Sequence, residues 1–303
     1  MRGRVVIIVL NWNNPANTLE CLASLAHVDC PPHEIVVVDN GSSDDSARVI
    51  RAAYPCVPVI ETGDNLGYVG GNNVGLEYAR TVHADYVLLL NNDTEVAPDF
   101  LGLLVAATET SPAVGVVGPT IYYFDQPDVI WSAGGAIDWS RGRTRMIGLD
   151  QVDQGQFGES PRPVDFVTGC ALLARMSVVK QVGLLDPRFF AYYEETEWCV
   201  RVTHAGFKIL HVPQARIWHK ISPVAREAAP QVNYYMTRNR LLFLELTRAG
   251  MRPWLNTLFL DYGRTLVSWT LKPQWRNKTV QKRAMLHAIL DYGRRQFGKM
   301  EVL

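Results

Sequence analysis

Apolar and polar positions along this chain come in blocks. Val5-Val6-Ile7-Ile8-Val9-Leu10, Glu34-Ile35-Val36-Val37-Val38, Val57–Ile60 and Tyr86-Val87-Leu88-Leu89-Leu90 are short runs rich in valine, isoleucine or leucine. Such runs predict strands buried on both faces. Between them, Leu19, Leu22, Ala23, Leu25 and Ala26 recur at helical spacing. A helix is expected from about Asp44, with an available cap, and another through Val74-Gly75-Leu76-Glu77-Tyr78-Ala79. Strands alternating with helices at short spacing predict a mainly parallel sheet covered on both faces, an α/β fold. Each strand ends in polar residues: Asn11-Trp12-Asn13-Asn14-Pro15, Asp39-Asn40-Gly41-Ser42-Ser43-Asp44, the loop Asn65–Asn73, and Asn91-Asn92-Asp93-Thr94-Glu95. Four such ends on one edge predict one crevice, where open α/β sheets bind ligands.

The second half reads differently. Pro98 and Asp99 are expected to open a helix over Phe100–Thr110. Val114–Val117, Ile121–Phe124, Val129-Ile130-Trp131 and Pro163–Val167 read as short separate strands, and Arg141–Pro161, rich in Gly, Gln, Asp and Arg, as a mobile loop. Gly169–Ala174 predicts a further strand, and Val178–Val182 a short helix closed by Gly183. A helix from about Glu194 to Ala205 carries acids in its first turn, where the helix dipole favours them, and Glu197 and Arg201 are spaced for a salt bridge. Lys208–Val212 is the last expected core strand, with Ile217-Trp218-His219 after it. From Val232 onward the chain reads as helical.

Composition narrows this picture. The chain has 303 residues, 48% of them hydrophobic and 20% charged, ordinary for a globular protein of one large domain with an appendage. The formal net charge of zero hides an asymmetry. Residues 1–230 carry 17 Lys+Arg against 26 Asp+Glu, a net −9, and residues 231–303 carry 13 against 4, a net +9. A basic tail with Trp254, Trp269 and Trp275 fits helices lying on an anionic membrane face; helices packed on the catalytic domain or in a dimer fit it as well. Nucleic acid is not expected as a partner, since no recognition motif accompanies the charge. Cys21, Cys30, Cys56, Cys170 and Cys199 form no C-x-x-C pair, which predicts reduced thiols and a cytoplasmic location; the membrane reading of the basic tail would add peripheral contact at the inner face of the cell membrane. No apolar run approaches the ~20 residues that span a bilayer.

Asp93, at the carboxyl end of a buried strand, offers a hard oxygen to a divalent cation, Mn²⁺ or Mg²⁺. Together with Asn11-Trp12-Asn13, Val38–Asp44, Asn65-Leu66-Gly67-Tyr68-Val69-Gly70-Gly71-Asn72-Asn73, Thr168-Gly169-Cys170, Phe189-Phe190-x-Tyr192-Tyr193-Glu194-Glu195-x-Glu197-x-Cys199-x-Arg201 and Trp218-His219, it completes an ordered set. That set resembles the inverting nucleotide-sugar glycosyltransferases of family 2, of GT-A fold, and within them the rhamnosyltransferase-like branch. The resemblance spans roughly residues 1–220. It implies a GT-A catalytic domain over 1–225, with a nucleotide-binding half at about 1–112 and an acceptor-binding half at about 113–225. A basic helical region follows over 226–303.

The resemblance also implies roles. Asp39 would accept the imide N–H of a uracil or thymine ring, as an acceptor-only carboxylate can. Asn11, Asn65, Asn72, Asn91 and Asn92 would line the nucleotide-sugar pocket, and Asp93 and His219 would hold the metal. Asn91 stands where the family usually has the first acid of a D-x-D motif, so fewer negative charges face the cation. Glu195 is the candidate base that takes the acceptor hydroxyl's proton while the sugar leaves from the opposite face. The family usually carries Glu-Asp there, and this chain has Glu194-Glu195, so Glu194 stays an alternative. Trp131, Gly169, Tyr193 and Glu194 would face the acceptor, and Tyr192, Tyr193, Trp131 and Trp218 could stack on sugar faces. The implied partners are a dTDP- or UDP-linked sugar, L-rhamnose among the donors, and a glycan or lipid-linked acceptor in cell-surface polysaccharide assembly. Two rivals share the fold features. A nucleotidyltransferase would need a glycine-rich basic loop where Asn11–Pro15 stands, and a non-catalytic nucleotide-sugar-binding protein would be indifferent to Glu195→Gln.

Overall fold

Val5, Ile7 and Val9 bury against one helical layer, while Val6 and Ile8 bury against the opposite one. A strand with both faces covered must lie inside a sheet, and here it is central. The computed structural model describes residues 3–29, 32–221 and 229–300. Its first half runs β1 (Val5–Asn11), α1 (Pro15–Leu25), β2 (His33–Asp39), α2 (Ser46–Ala53), β3 (Val59–Glu61), α3 (Gly67–Thr81) and β4 (Tyr86–Asn91). β4, β1, β2 and β3 are parallel neighbours in that order. The register sets Asn11 beside Asp39 and Leu10 beside Asn91, so the polar strand ends converge on one edge as the block pattern predicts. Pro15 occupies the first position of α1, and the Asn14 side chain caps it by accepting from Asn17 N at 3.3 Å.

The second half runs β5 (Thr94–Val96), α4 (Phe100–Glu109), β6 (Val114–Tyr123), β7 (Val129–Ser132), β8 (Gly135–Asp138), β9 (Arg143–Met146), β10 (Gln151–Val152), β11 (Arg162–Pro163), β12 (Ala171–Arg175), α5 (Met176–Val182), α6 (Glu194–His204) and β13 (Lys208–His219). β12 joins the halves, lying antiparallel between β4 and β6. β6 is paired along one side by β13, and on the other by β12 and then β7. The chain ends in α7 (Pro230–Leu246), α8 (Met251–Leu255), a π-helical segment (Asn256–Gly263), α9 (Arg264–Leu271), a 3₁₀ segment (Pro273–Lys278) and α10 (Thr279–Gly293). Leu242, Phe243 and Leu244 of α7 share a core with Leu76 of α3 and Trp198 of α6. The 225/226 boundary and Cys30 lie outside the described residues, and Cys21, Cys56, Cys170 and Cys199 are free thiols.

Several expectations are corrected. The Asn65–Asn73 stretch is a loop only to Leu66, because Gly67–Asn73 is already helical. Its glycines mark close approach: a Cβ on Gly71 would sit 2.4 Å from Leu10 Cδ1, and one on Gly75 2.4 Å from Ile8 Cγ2. Packing α3 directly on β1 thus outweighs the ~1 kcal/mol each helical glycine costs. Pro98 and Asp99 precede α4 rather than open it. The two strands expected over Val114–Phe124 are one, with Pro119 tolerated inside it where the pairing to β13 slips between Val212 and Arg216. Likewise Lys208–Val212 and Ile217–His219 are one strand. Arg141–Pro161 is no structureless loop: β9 pairs with β8 and β10 with β7. Of Pro163–Val167 only Pro163 belongs to a strand.

Candidate active site

The edge where β1, β2 and β4 end carries one continuous polar network. The Asp39 carboxylate accepts from Asn11 Nδ2 at 2.7 Å, from the Ser42 backbone N at 3.0 Å and from Ser42 Oγ at 2.8 Å. Thr18 Oγ1 donates to Asn11 Oδ1 at 2.7 Å, and Asn92 Nδ2 donates to Thr18 Oγ1 at 2.9 Å. Asn11, Asp39 and Asn92 therefore act as a unit, with Asn11 and Asp39 buried. Three donors on Asp39 fix its carboxylate plane before any ligand arrives, and each oxygen keeps acceptor capacity. Asn65 serves backbone instead: its Oδ1 accepts from Gly67 N at 2.8 Å, ordering the start of α3. Asn72 is buried within α3 and gives its amide to the Tyr68 carbonyl one turn back, at 2.9 Å.

At the end of β4 the chemistry changes. Asp93 Oδ1 is buried with no hydrogen-bond partner, although His219 Nε2, from the end of β13, lies 3.1 Å away. His219 Nδ1 and Trp131 Nε1 are likewise buried and unpartnered, and the Trp131 ring meets His219 edge-on at 4.8 Å. Burial would raise the Asp93 carboxyl, yet His219 outweighs it and holds the pKa below the usual carboxylate range. Burial would depress His219, but the Cys170 sulfur and Asp93 override it and push its pKa up to about 10. Without a cation this is an ion pair. A divalent cation would take the place of the proton between them, held by the Asp93 carboxylate and the His219 imidazole, both of which such ions accept as ligands. The residues present therefore fit such a cation, with two protein ligands. Among the described residues no third His, Cys, Asp or Glu joins them, an arrangement suited to an ion that is also held by substrate phosphates and water.

The carboxylates Glu194 and Glu195 open α6. Both have a buried oxygen, Oε2, with no hydrogen-bond partner. Burial pushes the Glu195 carboxyl up to about 6, partly offset by the backbone N–H groups of Glu195, Thr196 and Gly169. Burial and the neighbouring Glu195 charge push Glu194 well above the usual range. The segment Gly169-Cys170 links the two halves of the site. Gly169 N–H faces Glu195, Cys170 faces His219, and the Cys170 carbonyl accepts from Asn91 N at 2.9 Å. Tyr68 Oη donates to the Gly169 carbonyl at 2.6 Å, and a Cβ on Gly169 would sit 2.4 Å from that hydroxyl. Tyr193 is buried against Phe243, whereas Tyr192 stays 41% exposed beside the carboxylates. Trp218 stacks on Tyr122, at 6.2 Å between ring centres.

Sequence reasoning missed what holds these carboxylates. Phe190, Tyr192 and Tyr193 have φ of 66°, 70° and 74°, a left-handed conformation that bulky residues rarely adopt. Asn239 of α7 maintains it: its Nδ2 donates to the carbonyls of Phe189 at 2.9 Å, Ala191 at 2.7 Å and Tyr192 at 2.9 Å. Arg238 adds bonds to the Arg188 and Phe189 carbonyls at 3.2 and 3.1 Å. No local spacing announces a partner about fifty residues away. Tyr68 and Cys170, also missed as participants, lie inside motifs that sequence reasoning did single out.

The family model described as glycosyl transferase family 2 matches residues 5–183. An N-acetylglucosaminyl-diphospho-decaprenol L-rhamnosyltransferase of Mycobacterium tuberculosis is 30% identical over 88% of this chain and 89% of its own. A dTDP-rhamnosyl transferase of Shigella flexneri is 21% identical over 80% and 81%. Among solved structures, a mannosyltransferase of Pyrobaculum calidifontis in complex with GDP-mannose and Mn²⁺ superposes with a TM-score of 0.59 at 14% identity. That superposition covers 96% of this chain and 87% of the other, and it supports the GT-A fold.

Proposed function

This chain belongs to glycosyl transferase family 2 and is an inverting glycosyltransferase, and from that premise we propose that it moves an L-rhamnosyl group from a dTDP- or UDP-linked donor to a hydroxyl of a lipid-linked glycan. The names of its relatives support the sugar and the acceptor class. The observation that carries the mechanism is the raised Glu195 carboxyl, with a pKa of about 6, joined through Gly169-Cys170 to the Asp93–His219 pair. A base with that pKa is ionised at neutral pH yet still draws a proton from a hydroxyl. Burial and the Glu195 charge raise the Glu194 carboxyl further, which disfavours its ionised form and favours Glu195 for the role.

In this reading the base of the donor sits against Asp39, whose carboxylate plane Asn11 and Ser42 hold in place. Asn91 and Asn92 face the ribose side, with Asn65 and Asn72 shaping the adjoining loop and helix. Asp93 and His219 hold Mn²⁺ or Mg²⁺, which when bound stabilises charge on the departing diphosphate. Trp131, Gly169, Tyr193 and Glu194 form the acceptor wall. Glu195 takes the acceptor proton, the acceptor oxygen bonds to the anomeric carbon, and the bond from that carbon to the diphosphate oxygen breaks on the opposite face, giving inversion.

The test is release of nucleoside diphosphate from a panel of nucleotide sugars, with Mn²⁺, Mg²⁺ or EDTA, for wild type, Glu195→Gln and Asp93→Ala. Metal-dependent release from dTDP-L-rhamnose, lost in both variants, is expected. Release from a different donor would overturn the sugar assignment. Calorimetry showing no binding of any donor would overturn the whole reading.

A further inference from the structure

The chain from Met251 to Leu271 is one helical run in three parts: α8, the π segment and α9. Its outer side is apolar. Met251 is 73% exposed, Leu255 48%, Phe259 67%, Val267 57% and Leu271 73%. These positions are four apart, with Gly263 at the intervening step. In an α-helix residues four apart advance about 40° around the axis, so such a stripe would wind out of line. The wider π turn, with its i→i+5 bonds, sets it back. The π segment thus holds five large apolar side chains on one side of a helix about twenty residues long. Among the described residues no helix is long and apolar enough to cross a membrane.

Beside this stripe lies a cavity of about 790 Å³ lined by Arg143, Arg240, Arg264 and Lys272 together with Trp269 and Trp275. Its one acid, Asp261, accepts from Arg143 Nε at 2.9 Å and from Arg240 at 2.7 Å. Four cations therefore meet one carboxylate, and among the described residues Arg264 and Lys272 have no acidic partner.

We propose that this run lies in the plane of an anionic bilayer, with the stripe among the acyl chains and the cavity holding a lipid phosphate. An apolar side flanked by cations and tryptophans is the composition of an interfacial helix, and clustered Arg and Lys match phosphate charge. A second copy fits less well, because a two-fold contact through this patch would face one unbalanced positive cavity with another. The inference extends the reading of a lipid-linked acceptor, but its test uses neither donor nor acceptor.

The full chain is sedimented with vesicles of phosphatidylcholine alone, or of phosphatidylcholine with phosphatidylglycerol. Wild type is expected to bind the anionic vesicles and to be released as salt rises. Arg264→Gln with Lys272→Gln should lower partitioning about thirtyfold, about fivefold per charge. Phe259→Ser with Leu271→Ser should lower it through the apolar side. Both variants should keep wild-type donor hydrolysis. Equal binding to both vesicle types, or to neither, would overturn the proposal. So would a concentration-dependent dimer in sedimentation velocity that Phe259→Ser dissolves. Vesicle binding by a protein that hydrolyses no donor would leave this proposal standing while removing the transferase reading.

Discussion

Replacing Glu195 by glutamine should make the protein more stable and less active at once. The substitution keeps shape and removes charge. In the unfolded chain the carboxyl titrates near its usual value of 4.5, and in the folded chain burial moves it to about 6. Below pH 4.5 both states hold the proton, and the fold bears no charge there. Between 4.5 and 6 the folded state binds more protons than the unfolded one, so stability falls as pH rises. Above pH 6 the native protein carries a buried carboxylate at a cost of up to about 2 kcal/mol. The amide avoids that cost, so at a pH of about 7.5 the variant should melt up to ~4 °C higher than wild type. The gap should close as pH approaches 4.5. Transfer should fall about 10²- to 10⁴-fold, the usual contribution of a positioned base. Thermal melts across a pH series, paired with single-donor kinetics, read both effects. A variant that melts lower than wild type at neutral pH, or a pH-independent gap, would mean that the native fold stabilises the carboxylate, and Glu195 would lose the role of base. Glu194→Gln is the internal comparison. With its carboxyl raised further than that of Glu195, Glu194 should tolerate the amide within about tenfold in rate, whereas equal losses in both variants would assign the proton to the pair rather than to one member.

Asp39→Asn places a donor opposite the imide N–H of the base and loosens the Asn11–Ser42 network. Calorimetry should show dTDP or UDP binding weakened about 10- to 100-fold, and unchanged affinity would remove Asp39 from the pocket. Asn239→Ala strips the carbonyls of Ala191 and Tyr192 of their side-chain donor and leaves Phe189 only that of Arg238, at a cost of about 1–3 kcal/mol. It should lower kcat while leaving the donor KM near wild type, because none of its hydrogen bonds reaches the Asp39 network. A variant with unchanged kcat would show that the left-handed loop holds itself.

The half of the site proposed to bind nucleotide was legible in the sequence because its convergence follows from block patterning. Buried strands end in Asn11, Asp39 and Asn91, and a parallel sheet must bring those ends together. Asp93 was legible as a hard ligand at a strand end, but His219 needed the resemblance, since it is far from Asp93 in the chain and only the pairing of β5 with β13 brings the two together. Glycine and proline misled. Gly67, Gly70 and Gly71 look like a loop but lie in α3, where Gly71 packs on β1 and Gly67 on Phe190, and Pro119 looks like a break but sits at a pairing irregularity. The choice between Glu194 and Glu195 was invisible, because adjacent residues of one type differ only in what surrounds them. Asn239 was invisible for a different reason: its partners are main-chain carbonyls, which carry no side-chain signature.

The bonds from Arg238 and Asn239 to the loop before α6 have a consequence for how the protein is made. Synthesis proceeds from the N-terminus, and segments fold as they emerge. β1 to β4 can assemble, with the Asp39 network in place, while the rest is still on the ribosome. Until Asn239 has left the exit tunnel, the left-handed turn at Phe190–Tyr193 has the bond from Val69 N to the Phe190 carbonyl, at 3.1 Å, but lacks the donors of α7. On the reading proposed above, the nascent chain therefore completes its nucleotide pocket first, and the loop that carries Glu195 gains its donors from α7 only after β13 and α7 have followed. A chain that stops short of α7 would stay in that earlier condition.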